Sequence, residues 1–198
     1  MKRGWLLIGF GLALAGCSLL GQLQQMATFA KCQFRLESIT NTKLAGVAIQ
    51  DKHSIKDLSA IDAIRLAAAL RSGVIALSFT LNVEGRNPNA QTAAMSGMAW
   101  IFLIDDREVS RGNLDRPVEI APNGGTAQVP FDLALDLKQV LSGESLESIK
   151  NLAFNVAGQG AHSTRITLKL KPSIMVMGSP LAYPDYFTVS TEFGGPPK

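Results

Sequence analysis

A chain of 198 residues, 46% hydrophobic and 18% charged, can bury one substantial core and is too short to demand two domains. Its formal net charge of +3 is scattered, with no Lys/Arg cluster interleaved with aromatics, which speaks against nucleic acid as a partner. Two histidines and two cysteines leave little material for a catalytic or metal centre.

The amino terminus reads as a targeting segment. Lys2 and Arg3 precede an uncharged apolar run from Trp5 to Leu14. That run has the length of a signal-peptide h-region and falls short of the roughly 20 residues of a membrane-spanning helix. It ends in Leu14-Ala15-Gly16-Cys17, which resembles the lipobox of bacterial lipoproteins: small residues directly before a cysteine, at the end of an h-region of the right size. The resemblance implies that residues 1–16 are a signal peptide and that Cys17 is the lipid attachment site and first mature residue. Removal of residues 1–16 leaves 182 of the 198 residues, with a net charge near +1. An ordinary secretory signal with a chance cysteine is the weaker alternative. One acyl chain gives only marginal membrane binding, so the several chains carried by this family would be what anchors the protein. Ser18 stands where enteric bacteria place Asp to retain a lipoprotein in the inner membrane, so the same resemblance favours the outer membrane. Residues 17–30 then form a tether. It is not Gly/Ser-rich, and Leu19, Leu20, Leu23 and Met26 fall near helical spacing. It either lies on the membrane or docks on the domain.

A single domain is expected over 31–193, with 194–198 as a flexible tail. In "KCQFRLE" a period of two puts Cys32, Phe34 and Leu36 on one strand face. With Cys17 acylated, Cys32 has no partner in the chain, and a sheltered core thiol is favoured over a reactive one. The segment "DLSAIDAIRLAAALRSG" predicts a helix over about 58–72, with Leu58, Ile61, Ile64 or Arg65, Ala68 and Leu70 at helical spacing. Ser59 and Asp62 suit a capping box, with Asp in place of Glu or Gln, and Gly73 suits the stop. Beyond it the period of two dominates. Leu77, Phe79, Leu81 and Val83 alternate with polar residues, as do Val129, Phe131, Leu133 and Leu135, and Ile166, Leu168 and Leu170. The nearly continuous "MAWIFLI" predicts the most buried strand, and "LAFNV" and "FTVSTEF" shorter ones. "DLKQVLSGESLESIKN" is a weaker helical segment, interrupted by Gly143. Turns are expected at Asp105-Asp106 (type I), Pro122-Asn-Gly-Gly125 and Gly178-Ser-Pro180. The pattern is that of a mainly β protein, an antiparallel sandwich with one inserted helix.

One strand closes in Asn87-Pro88-Asn89. Pro88 has no N–H and a fixed φ, so a central strand cannot run through it, and it steers Asn87 to an extended conformation. The flanking amides can satisfy the backbone groups freed there, and the triplet is read as architectural rather than as a ligand-binding amide pair. Over about residues 76–136 the chain resembles the LEA type 2 family, or WHy domain. The residues that carry the resemblance are Asn87-Pro88-Asn89, Ile104-Asp105-Asp106, Gly112, Ile120 and Gly124-Gly125. It implies an Ig-like or fibronectin-III-like antiparallel β-sandwich and, through that family's association with water stress, a protective role. The helix near 58–72 departs from the family's usual pattern.

No nucleophile elbow, phosphate loop, zinc-binding helix motif or Cys-x-x-Cys is present. His53 and His162 sit in polar, loop-like contexts, and Asp105-Asp106 fits a turn better than catalysis. The expectation is therefore a non-enzymatic protein without a cofactor or metal. It is read as a membrane-anchored interaction or stress-protective module of the bacterial envelope, whose partners are the membrane, through its lipid, and envelope proteins. The alternative is a carrier of a lipid or other apolar ligand, motivated by the methionines of "MAWIFLI" and "PSIMVMG" and requiring a cavity lined by Met98, Trp100 and Met175.

Overall fold

The computed structural model describes residues 19–52, 55–140 and 163–194. Three long strands that alternate apolar and polar residues build the first sheet: β1 (Gln33–Leu44), β3 (Ala76–Arg86) and β8 (Thr126–Asp136). In β3, Leu77, Phe79, Leu81 and Val83 are buried, while Ser78, Thr80, Asn82 and Glu84 between them stay half-exposed. With the short β2 (Val47–Ala48) the order is β2–β1–β3–β8. The second sheet contains β5 (Gly97–Ile104), β6 (Arg107–Leu114) and β9 (Ser163–Val176), with β10 (Ser179–Ala182) and β11 (Phe187–Gly194) both paired to β9. β4 (Ala93–Met95) and β7 (Val118–Ile120) form a small ladder of their own. All these pairings are antiparallel.

The inner faces of the two sheets meet in one core. Phe79 of β3 lies 5.7 Å, ring to ring, from Phe102 of β5, and Trp100 of β5 stands edge-on to Phe131 of β8 at 6.5 Å. Three long strands on one side and β6, β5, β9 and β11 on the other make the expected antiparallel sandwich. β5 lies between β6 and β9, yet it is not buried along its whole length: Ala99, Trp100 and Ile101 remain half-exposed. The outer face of the first sheet is a set of cross-strand polar pairs. Asn82 donates to Ser38 and Thr40 at 3.1 Å, Thr80 donates to Asp132 at 2.7 Å, and Arg35 donates to Glu84 at 2.8 Å. The Arg35 hydrogen bond holds the Glu84 carboxyl below its ordinary range and raises the guanidinium's own pKa. β8 is an edge strand, which is where Pro130 can sit without breaking a ladder, and Arg116 donates to the Pro130 carbonyl at 3.1 Å.

Two-residue loops with paired positive φ close the hairpins: Ala45-Gly46 (48°, 77°), Asp105-Asp106 (46°, 63°) and Met177-Gly178 (50°, 82°). Asp105-Asp106 is therefore a type I′ turn and not the type I expected. Only the primed turn matches the twist of strands joined this tightly. Asp105 also carries the pairing past the hairpin, accepting from the Arg165 N–H through Oδ1 and donating its own N–H to the Arg165 carbonyl, both at 2.9 Å.

The inserted helix is α2 (Ala60–Ser72). Its caps are those the sequence predicts: Ser59 accepts from the Asp62 N–H at 3.1 Å, and Gly73 adopts φ 76° and donates to the Ala69 carbonyl. The residues at helical spacing do not turn toward the core as a set. Ile61 and Ile64 are 64% and 69% exposed, Leu70 is exposed too, no residue of the helix is buried, and Leu58 and Leu66 are what touch the core. Turning the Ile61–Ile64–Ala68 stripe inward would carry the flanking Arg65 and Arg71 toward the core, at the cost of desolvating two cations. Preceding β1, residues 19–29 form a helix, α1, and its far half docks on the sandwich. Phe29 is fully buried, 5.2 Å from the Phe34 ring and 6.5 Å from that of Phe187, while Phe34 and Phe187 stack at 4.8 Å. Of the two expectations for the tether, docking is observed. A short α3 (Leu137–Val140) follows β8. Residues 1–18, with the expected signal peptide and Cys17, the predicted strand "LAFNV", the rest of the helical segment around Gly143, both histidines and the tail from 195 lie outside the described residues.

Gly112 of β6 lies opposite Trp100, and a Cβ there would overlap the indole ring. Gly112→Ala is expected to lower unfolding stability by about 1–3 kcal/mol through overpacking, read as a shifted urea midpoint with an unchanged slope.

Candidate functional site

Of the residues singled out in sequence, Asn87, Asn89, Ile120, Gly124 and Gly125 meet at one end of the sandwich, whereas Asp105-Asp106 closes the hairpin at the other and Gly112 lies within β6. The β3–β8 ladder is in register up to Arg86 opposite Thr126. It continues one step, the Asn87 N–H donating to the Gly125 carbonyl (2.9 Å) and the Gly124 N–H to the Asn87 carbonyl (2.7 Å). Pro88 then ends the strand. The Asn87 side chain, fully buried, donates from Nδ2 to the carbonyls of Gln91 (2.8 Å) and Ile120 (3.1 Å). Its Oδ1 accepts from the Asn89 N–H (3.0 Å) and from Asn89 Nδ2 (2.9 Å). With two donors facing carbonyls and the oxygen facing N–H groups, the amide fits in one orientation and is fully satisfied. The Asn89 carbonyl in turn accepts from the Asn123 N–H at 2.8 Å.

The opposing turn, Pro122-Asn-Gly-Gly125, is shaped to receive this. Asn123 and Gly124 adopt φ 58° and 91°, and a Cβ on Gly125 would stand 2.5 Å from the Ala121 carbonyl oxygen. Thus Asn87, Asn89, Ile120, Gly124 and Gly125, separated in sequence, form one locked corner. Sequence spacing assigned an architectural role to the triplet; it could not show that the Gly-rich turn is its partner. The arrangement offers no acid, base or nucleophile, since every polar group of Asn87 is engaged.

The remaining candidates are dispersed. Cys32 is buried just before β1, its Sγ donating to the Thr28 carbonyl at 3.5 Å, and burial pushes the thiol up to about 11. Met98 is buried in the core and Trp100 is packed between Gly112 and Phe131, whereas Met175 is 48% exposed on the β9–β10 hairpin. Met175 thus lies outside the core that holds Met98. A cleft of about 310 Å³ runs beside Arg107, Glu108, Val109 and Asp136, and one of about 290 Å³ lies between α1 and the loop at Gln91 and Thr92, both away from Met98 and Trp100. Among the described residues no three acidic, histidine or cysteine side chains gather as a metal site, and no helix is long and apolar enough to cross a membrane. Sequence reasoning missed the exposure of the β9–β10 hairpin. No local signal showed it, because a run without charge from Pro172 to Pro184 reads as core.

No family model matches this chain, and no curated protein does. Among solved structures it is similar to a protein from Archaeoglobus fulgidus, at 18% identity over 62% of this chain and 88% of the other, with a TM-score of 0.34. It is also similar to an Arabidopsis thaliana protein determined in solution, at 12% identity over 62% and 73%, with a TM-score of 0.38.

Asn87→Ala strips the corner of four hydrogen bonds and leaves two carbonyls, the Asn89 N–H and the Asn89 side-chain amide without that partner. A loss of about 2–4 kcal/mol is expected in denaturant unfolding. Asn87→Asp turns an oxygen toward the same carbonyls, which with burial raises the carboxyl's folded pKa above its unfolded value. That group's stabilising contribution is present at low pH and lost as pH rises through the folded value, so this variant should weaken toward neutrality while the wild type does not. The Cys32 thiol follows the same sign at higher pH. Its contribution is complete below about 9 and declines from there toward about 11. Between those values, unfolding of the wild type should lose stability that Cys32→Ala does not.

Proposed function

We propose that this protein is a lipid-anchored, non-enzymatic β-sandwich of the bacterial cell envelope, a member of the LEA type 2 (WHy) family that works as an interaction or stress-protective module. The observation that carries the reading is the leader of Lys2, Arg3, the apolar run and Leu14-Ala15-Gly16-Cys17 standing before a domain whose family-pattern residues are spent on packing. Asn87, Gly112 and Gly125 each answer a steric or hydrogen-bonding demand of the fold. A domain so built is a stable platform, and its specificity belongs to the surfaces it presents. The carrier alternative is less supported, because Met98 and Trp100 are consumed by core packing.

Replacing Cys17 by Ala tests the anchor. The variant should leave the membrane fraction or remain unprocessed, whereas the wild type should show a mature mass beginning at Cys17 with acyl chains added. Unchanged fractionation and mass would refute the anchor. Native mass spectrometry of the mature chain released from detergent separates the two functional classes. A bare polypeptide-plus-acyl mass is expected, and a reproducible non-covalent addition lost on denaturation would establish the carrier.

A further inference from the structure

The β9–β10 hairpin projects past the sandwich as an uncharged apolar finger. β9 pairs with β5 only as far as Ser173 opposite Gly97; beyond that point its partner is β10 alone. Ile174 is buried, but Met175 is 48%, Leu181 44% and Met177 fully exposed, around the tight turn at Met177-Gly178. From Pro172 to Pro184 the chain carries no charge. At its base Lys171 holds its ammonium 5.3 Å from the Tyr186 ring centre, with Asp185 alongside in sequence. An apolar tip over an aromatic ring and a lysine is the distribution of side chains that suits a bilayer's interfacial zone.

Strand register places this finger at the same end as the amino-terminal helix. Phe187 opens β11 opposite Leu170 and touches both Phe34, at the start of β1, and Phe29 of α1. The near half of α1 crosses that end toward the β3–β4 loop, where Gln24 donates to Gln91 at 2.7 Å, and it exposes Leu20. Cys17 lies two residues before the described part of this helix.

We infer that the β9–β10 hairpin is a second membrane contact, inserting Met175, Met177 and Leu181 into the interface of the bilayer that holds the Cys17 lipid. This rests on the anchor reading above. The lipid supplies residence at the membrane, and the finger fixes which end of the sandwich faces it. The insertion depth is that of interfacial segments, about 5–10 Å into the headgroup–acyl boundary. The other exposed apolar face, Ile61 and Ile64 of α2, lies at the opposite end, where β3 begins, and is held away from the bilayer.

The test uses the full mature chain in vesicles of phosphatidylethanolamine and phosphatidylglycerol, with an environment-sensitive fluorophore on Met177→Cys or, separately, on Ile64→Cys. Cys32 is buried and Cys17 is occupied by its lipid, so labelling is confined to the new thiol. The Met177 probe should shift to the blue and lose fluorescence to brominated lipid, while the Ile64 probe should do neither. A Met177 probe that stays in water on a chain that is acylated and floats with the vesicles overturns the finger and leaves the anchor standing. So does a blue shift without quenching by brominated lipid, which would mean a protein partner or a second copy. A chain with no acyl mass that fails to float overturns the anchor and this inference with it. Met177→Ser with Leu181→Ser, changes in exposed residues, should abolish vesicle protection of the β9–β10 backbone from hydrogen exchange without altering the unfolding midpoint.

Discussion

The buried amide of Asn87 ties the loop at Asn89–Gln91 to the end of β7 at Ile120, and this end of the sandwich can close only if both segments arrive. Its donors reach the carbonyls of Gln91 and Ile120, its oxygen holds Asn89, and its own N–H and carbonyl extend the β3–β8 ladder into the turn at Gly124-Gly125. No other side chain meets that demand. Asp cannot donate, Ser has too few groups, and Gln would need more room in a site with no exposed surface. Because the amide is dry, leaving any of its bonds unmade carries the full desolvation penalty, which makes the corner an all-or-nothing feature. Gly85, two residues upstream, belongs to the same constraint: a Cβ there would stand 2.8 Å from both Ile120 and Phe34, so the close approach of β7 to β3 is set by both residues.

From that corner the two ends of the molecule diverge in character. One is closed by the locked turns, the aromatic trio of Phe29, Phe34 and Phe187, and the α1 helix laid across it. The other is formed by α2, α3 and the Asp105-Asp106 hairpin, where charged residues and half-buried contacts prevail. The sandwich between them is uniform, with polar pairs on the outer face of the first sheet and a continuous apolar core inside. A scaffold of this kind distinguishes its ends more than its faces.

How much of this could be read from residues alone follows from the range of the interactions involved. The alternation in β3, β8 and β9 is local, so the strands and their inward residues were legible, as were both caps of α2. The type I′ geometry at Asp105-Asp106 was not, because turn type depends on the twist and register of the two strands it joins. The pairing of Asn87 with a turn more than thirty residues away left no local trace. The orientation of α2 left no local trace either: Ile61 and Ile64 are as apolar by type as Leu66, yet only Leu66 meets the core. Met175 and Met177 look like core residues by type, and only the register at Ser173 shows that the sheet has already ended beneath them.

The shallow seat of α2 bears on how this chain can vary over evolutionary time. The helix enters and leaves the sandwich at almost the same point, since Ala45, just before β2, donates its N–H to the carbonyl of Ala76, which opens β3, at 2.7 Å. No residue of the helix is fully buried and Leu66 is its one hydrophobic side chain packed against the core, so its enlargement would leave the core packing in place. Lengthening a loop whose ends already meet costs only slowly growing closure entropy, about 0.6 kcal/mol per doubling. The insertion is therefore a place where sequence can drift, grow or be exchanged while the sandwich stays the same, and where one lineage can acquire a recognition surface that its relatives lack.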